Sequence, residues 1–389
     1  MRMFERIHIM GFRRLHDVDL RLRPLNVLIG ANGSGKTSLL DVFSLLAASA
    51  SGRLSETVSE LGGIDSNLTN LLAAKGEKAR FIALELAMEV SGYDPLEYRI
   101  ALSPMGAGYE VSEESLTQKR KDKPQPFKHI ESRHGDVRYF DQHAARKLVK
   151  PNWDYKQAES ALSQVPRMFR EPEQVRDYLA SSTHYHVLDV GPRAPIRLPQ
   201  PMRDARLPGR DGEDLISCLY TIRETDQDRF ETIEATLRAA FPGFERLNFP
   251  PAAAGTLAMA WKDKTSKHPF YMHQLSEGTL RFLWLATLLQ SPGLTAVTMI
   301  DEPEVSLHPE LLSLLADLFR EASERTQLIV ATHADRLIRF LKPCEVVTLN
   351  LTEEGAAEAI RADELDLEKW LAEYTMDEVW QMGRMGARP

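Results

Sequence analysis

Hydrophobic and polar positions change period several times along the chain, and each change predicts a different kind of element. Residues 6–10 alternate, residues 18–22 follow a polar turn at 14–17, and Leu25–Ile29 is one apolar run. This pattern predicts three short strands. Over 37–48, Leu39, Leu40, Val42, Phe43, Leu45 and Leu46 form a broad apolar face, which predicts a helix. Residues 81–90, alternating at Ile82, Leu84, Leu86 and Met88, and residues 98–101 predict further strands. From 111 to 208 the periodicity weakens and Lys, Arg, Gln and Pro accumulate. Patches at 143–149, 156–162 and 172–179 predict helices there, so an inserted, mainly helical basic region is expected.

After Asp214 the pattern becomes regular again. Helices are predicted at 214–223, 228–240 and 275–290, then a strand at 296–300, a helix at 309–325 and a strand at Gln327–Ala331. A helix at 334–341, a strand at 345–349 and an exposed amphipathic helix at 366–374 complete the series. Alternating strands and helices imply an α/β fold with a largely parallel sheet covered on both faces. Three regions are expected: an N-terminal lobe over 1–110, the basic insertion over 111–208 and a C-terminal lobe over 209–389.

Charge sharpens the division. The chain carries net −8, yet residues 119–176 hold fourteen basic against eight acidic side chains, a local +6 that leaves −14 elsewhere. Arg193, Arg197, Arg203, Arg206 and Arg210 extend the basic character. Such segregation predicts contact with phosphates along the insertion, with affinity that falls as salt rises. An ordinary solvated charged face is the competing explanation. The longest apolar runs are broken by charged residues, so no membrane partner is expected, and the charged first six residues predict a cytoplasmic protein. The two cysteines, Cys218 and Cys344, lie far apart and predict buried thiols.

The candidate chemistry begins after the third strand, where residues 30–37 read Gly-Ala-Asn-Gly-Ser-Gly-Lys-Thr. Glycines at 30, 33 and 35 let backbone amides lie against a polyphosphate, and the following helix adds its positive end. Gly30, Asn32, Gly33, Ser34, Gly35, Lys36, Thr37 and Ser38 are therefore candidate ATP contacts, with Lys36 reaching the terminal phosphates and Thr37 ligating Mg²⁺. An apolar strand ending in Asp301-Glu302 supplies the second half: Asp301 for the metal and Glu302 to deprotonate the attacking water. A further apolar strand ends in Thr332-His333, where His333 can bond the γ-phosphate. Ser276 heads a long apolar helix as an N-cap, and Gly278 leaves the first-turn amides open, the makings of an anion site.

Taken in order, residues 30–37, Leu275-Ser276-Glu277-Gly278, Ile300-Asp301-Glu302-Pro303 and Thr332-His333 resemble the ABC-type ATPase heads of the SMC, RecF and OLD groups. The resemblance implies a P-loop NTPase head of mixed sheet with N-terminal antiparallel strands. It also implies two heads closing over two ATP molecules, so that Ser276 and Gly278 of one copy touch the nucleotide of the other. Glu302 would be the base, His333 the switch residue, and Val305-Ser306-Leu307-His308 the loop at the dimer seam. Arg13 matches a basic residue that contacts nucleotide in some such heads. Glu302-Pro303-Glu304 with Leu307-His308-Pro309 is similar to single-chain ATPases near the OLD and RecF branch. No glutamine lies between Lys36 and Gln118, so the metal-contacting glutamine of these heads is not identifiable.

Lys36 and Ser276 are 240 residues apart without sustained heptads, which predicts no coiled-coil arms. Only 56 residues follow His333, too few for the Toprim nuclease domain of OLD-like proteins. The resemblance thus implies an ATP-driven dimeric switch on DNA with a separate effector or nuclease, in phage defence or DNA repair. The alternative is an ATPase that remodels or transports a substrate other than nucleic acid.

Overall fold

The fold is that of a computed structural model, which describes residues 3–70, 78–90, 93–120, 123–141, 146–166 and 170–386. Two large sheets enclose the helix Lys36–Ser51. The parallel one has six strands in the order Thr183–Tyr185, Val297–Asp301, Gln327–Ala331, Leu25–Ile29, Val346–Leu351 and Ala357–Arg361. The first five run parallel and the last is antiparallel. Central strands buried on both faces need apolar residues in continuous runs, and Leu25–Ile29 and Gln327–Ala331 are buried at every position.

The other sheet is antiparallel, with eight strands ordered Leu15–Arg21, Phe4–Phe12, Ile82–Val90, Tyr93–Met105, Gly108–Arg120, Lys123–Arg133, Asp136–Phe140 and Leu148–Val149. Its apolar face and one face of the parallel sheet, through Leu28, Met299, Ile329 and Leu349, sandwich the apolar side of Lys36–Ser51. The opposite face, through Val27, Ile29, Ile300 and Val330, packs against the helices Leu215–Thr225, Gln227–Ala240, Glu277–Gln290 and Leu311–Ser323. Alternate residues of the same strands thus feed two different cores.

The predicted strands of the first lobe and the α/β alternation after Asp214 are present, with ends shifted by a few residues. The insertion is different. Gly108–Arg120 is one continuous strand, so the antiparallel sheet runs through the expected boundary at 110–111 and on to residue 149. Among the described residues, α-helices there are limited to Ala161–Gln164 and Arg170–Ala180, the latter containing the predicted 172–179. Of the predicted helix at 143–149, residues 143–145 lie outside the described residues and Leu148–Val149 is a strand. Helix begins only at Ala161 in the predicted 156–162 segment. The mainly helical insertion is therefore a correction. Its physical reason is solvation: the outer face of an antiparallel sheet takes charged residues freely, which masks the two-residue period.

The terminal helix predicted at 366–374 shortens to Glu368–Leu371, with Trp370 and Leu371 packed against the core. The short strands Phe244–Asn248, Ala260–Asp263 and Phe270–Tyr271 were not expected. Cys218 is buried as predicted, whereas Cys344 is only partly so. No helix among the described residues is long and apolar enough to cross a membrane.

Candidate nucleotide site

The register Asp301↔Ala331 and Ala331↔Leu28 aligns the carboxyl ends of three parallel strands. Their following turns therefore meet at one edge, where ligands bind in open α/β sheets. The cleft there encloses about 370 Å³ and is lined by Gly30, Ala31, Asn32, Glu302, Thr332 and His333 among others.

Gly30 leaves the strand at φ 154°, and a Cβ on it would stand 2.2 Å from the carbonyl oxygen of Leu349. Only glycine fits that approach. Gly33 also has positive φ and open space around it, and Gly35 caps the helix with no side-chain acceptor. The first-turn amides are thus left for a ligand. Lys36 is buried and donates to the carbonyls of Gly30 at 2.6 Å and Ala31 at 3.1 Å. Burial pushes its pKa down to about 8, against the opposing pull of Asp301, Glu302 and Glu304. Ser34 Oγ is buried without a hydrogen-bond partner. An orphaned hydroxyl, an ammonium held only by carbonyls and open glycine backbone fit a polyphosphate. Thr37 is exposed and Ser38 half-buried at the helix start.

Asp301 is pushed up to about 6, first by burial and then by Glu302. Asp41 and Glu304 add to the same negative field, which fits a cation beside Thr37 and Asp301. Glu302 takes φ 47°, a left-handed conformation costly for a residue with Cβ and concentrated at functional turns. Its amide donates to Ala331 at 2.8 Å, and its Oε1 lies 3.4 Å from His333 Nε2. His333 is pushed below the ordinary histidine range, by burial first and by Lys36 second. The His333 and Ala334 amides donate to Glu304 Oε1 at 2.9 and 3.1 Å, so Glu304 fixes the turn carrying the histidine.

Arg13 reaches the same neighbourhood by another route. It donates to Asp41 Oδ2 at 2.5 Å and to Asn67 Oδ1 at 2.8 Å, one helical turn beyond Thr37, and does not line the cleft. Ser276 and Gly278 also lie outside the cleft lining. Ser276 is exposed and N-caps Glu277–Gln290, its Oγ accepting from the Thr279 amide at 3.1 Å. A Cβ on Gly278 would come 2.5 Å from the Ser306 carbonyl oxygen, so this helix start sits directly on the 305–308 loop.

Several positioned residues escaped the sequence reading. Asp41 carries a helical signal, four residues after Thr37. Glu304 stands in the Glu-Pro-Glu motif. His184 lies on an edge strand of three residues, Thr183–Tyr185, and His186 directly follows it, a stretch too short to give a pattern. Burial pushes His184 down to about 3, with His186 and Arg210 adding to the shift. Arg197, expected among phosphate-contacting arginines, instead donates to the carbonyls of Val190, Met272, His273 and Leu275. Arg203 pairs with Asp214.

Comparison with known proteins bears on the family and the fold. Residues 25–339 match the family described as AAA domain, putative AbiEii toxin, Type IV TA system. The DNA replication and repair protein RecF of Paenarthrobacter aurescens is 36% identical over 84 residues, 21% of each chain. RecF of Pseudomonas savastanoi is 49% identical over 51 residues, 13% of this chain and 14% of its own. The OLD nuclease of Thermus scotoductus is 43% identical over 44 residues, 11% of this chain and 8% of that protein. The chain thus spans about a fifth or less of the length of these curated relatives. An SMC head bound to the C-terminal winged-helix domain of ScpA superposes with TM-score 0.55 at 15% identity, covering 93% of this chain and 99% of that one. The Pyrococcus yayanosii SMC head gives 0.54 at 12% identity over 96% and 99%. These likenesses show the fold, that of an SMC-type head, and the family match establishes the membership: the chain belongs to the family described as AAA domain, putative AbiEii toxin, Type IV TA system.

Proposed function

We propose that the protein hydrolyses ATP with Mg²⁺, dimerises head to head around two nucleotides and acts as a switch on DNA, through a separate effector or nuclease. One observation carries the dimer. Gly30, Ala31 and Asn32 of the phosphate loop line one cleft with Glu302 and His333, while Ser276 and Gly278 sit outside that lining, on a helix start whose exposed Ser276 a second copy can reach. In this reading Lys36 and the 30–37 amides hold the phosphates, and Mg²⁺ held by Thr37 and Asp301 would neutralise their charge. Glu302 takes a proton from the attacking water while His333 bonds the γ-phosphate. Ser276 and Gly278 of the second copy complete the site.

The DNA role draws support from the RecF relatives and from the basic side chains between 119 and 176. A specific observation favours the alternative of a substrate other than nucleic acid. Lys119 pairs with Glu97, Lys128 with Glu131, and Arg138 and Lys150 with Asp136, while Arg176 is buried against backbone carbonyls. Five of the fourteen basic side chains are therefore already engaged by the protein's own groups.

Filter binding of duplex DNA by the Glu302→Gln protein with Mg²⁺ and ATP separates the two. Nucleotide-dependent retention that falls steeply with salt supports the DNA switch. No retention at low salt, with nucleotide bound, removes it in favour of the alternative.

A further inference from the structure

We propose that His184, His186 and Asp301 form a binding site for a divalent first-row transition ion, one that fills without nucleotide. One ligand atom from each of the three lies within 4.8 Å of the other two. The topology makes the juxtaposition. His184 lies on the edge strand Thr183–Tyr185 and His186 is the first residue past its end. The parallel register Thr183↔Thr298, His184↔Met299 and Tyr185↔Ile300 ends one residue before His186 on one strand and one before Asp301 on the other. The two imidazole centroids are 4.0 Å apart.

The chemistry of the donors points to the ion. His184 is 6% exposed; its Nδ1 faces Ser44 Oγ at 3.4 Å, and its Nε2 has no hydrogen-bond partner. A buried ring nitrogen without a partner is costly, and a metal bond removes that cost. Two imidazole nitrogens with one carboxylate suit cobalt, nickel or zinc, whereas magnesium prefers an all-oxygen shell. Asp41, Glu302 and Glu304 surround Asp301 with negative charge. Ligands about 2.0–2.2 Å from a tetrahedral ion stand roughly 3.5 Å apart. Closure from the present spacing therefore takes movements on the order of 1 Å, and the exposed His186 side chain is the freest of the three to turn. The nucleotide reading is involved only through the shared Asp301.

The test is a Co²⁺ titration of the nucleotide-free 389-residue protein, followed by visible absorbance and by equilibrium dialysis. One Co²⁺ per chain is expected, with a visible band that Zn²⁺ abolishes and Mg²⁺ at the same concentration leaves in place. His186→Ala, on an exposed residue and checked for folding by circular dichroism, weakens binding on the order of tenfold or more. His134→Ala, in an exposed hairpin turn, does not. Lys36→Ala binds Co²⁺ like wild type while losing a fluorescent ATP analogue, so failure of either assignment is seen separately. Equal Co²⁺ binding by His186→Ala and wild type, displacement by Mg²⁺, or binding only in the presence of ATP overturns the site.

Discussion

Arg197 donates to the carbonyl oxygen of Leu275 at 3.0 Å, across 78 residues of sequence. The same guanidinium holds the carbonyls of Val190, Met272 and His273, so one side chain ties the segment after His186 to the turn before Ser276. Arg197→Ala leaves those carbonyls without a charged donor and costs about 2 kcal/mol of stability. The N-cap turn at Ser276 loosens with it. The expected outcome is lower ATP turnover at unchanged affinity of the monomer for nucleotide, read by steady-state hydrolysis beside fluorescent-analogue titration. An equal loss of nucleotide affinity would place Arg197 in the phosphate site instead.

Asp301 has a pH signature in the nucleotide-free protein. Its folded pKa is raised to about 6 from 3.8, so its contribution is fully favourable below the unfolded value and is lost as pH rises through about 6. Near neutrality the folded state therefore bears a cost for the ionised group. Asp301→Asn removes it and raises stability by about 1–2 kcal/mol at roughly pH 7.5, after allowance for solvent screening. The gain shrinks toward about pH 5. Thermal melts in chelator at the two pH values check it, and a destabilised variant near neutrality would contradict the assigned charge cluster.

Glu114 staples the antiparallel sheet to the helix Ala161–Gln164. Its carboxylate accepts from Ser160 Oγ at 2.7 Å, from the Ala161 and Leu162 amides at 2.5 and 2.9 Å, and from Tyr98 Oη at 3.0 Å. Glu114→Ala strands these buried donors and costs on the order of 3 kcal/mol. Denaturant melts should show the full loss, with any ATP turnover that remains following the folded fraction.

How much of this was legible in the sequence depends on where each signal lies. The phosphate loop, Asp301, Glu302 and His333 were legible because each ends a buried strand, whose apolar run makes the polar terminus conspicuous. Ser276 was legible as a cap and takes that place. The sheet over 108–149 was not, because outward-facing residues such as Lys119, Glu131 and Arg138 are free to be charged and hide the alternation. Arg197 and Glu304 were illegible for a different reason. Their partners are backbone groups distant in sequence or in another turn, and composition carries no trace of such bonds.

Dimerisation over ATP is the central claim, and light scattering of the Glu302→Gln protein with Mg²⁺ and ATP tests it most directly. Removing the base leaves the phosphate contacts in place, so the variant holds its nucleotide unhydrolysed. The account predicts twice the 44.0 kDa chain mass with ATP, the single-chain mass without it, and the single-chain mass again when Ser276→Arg is added. A variant that binds ATP yet keeps the mass of one chain would contradict it.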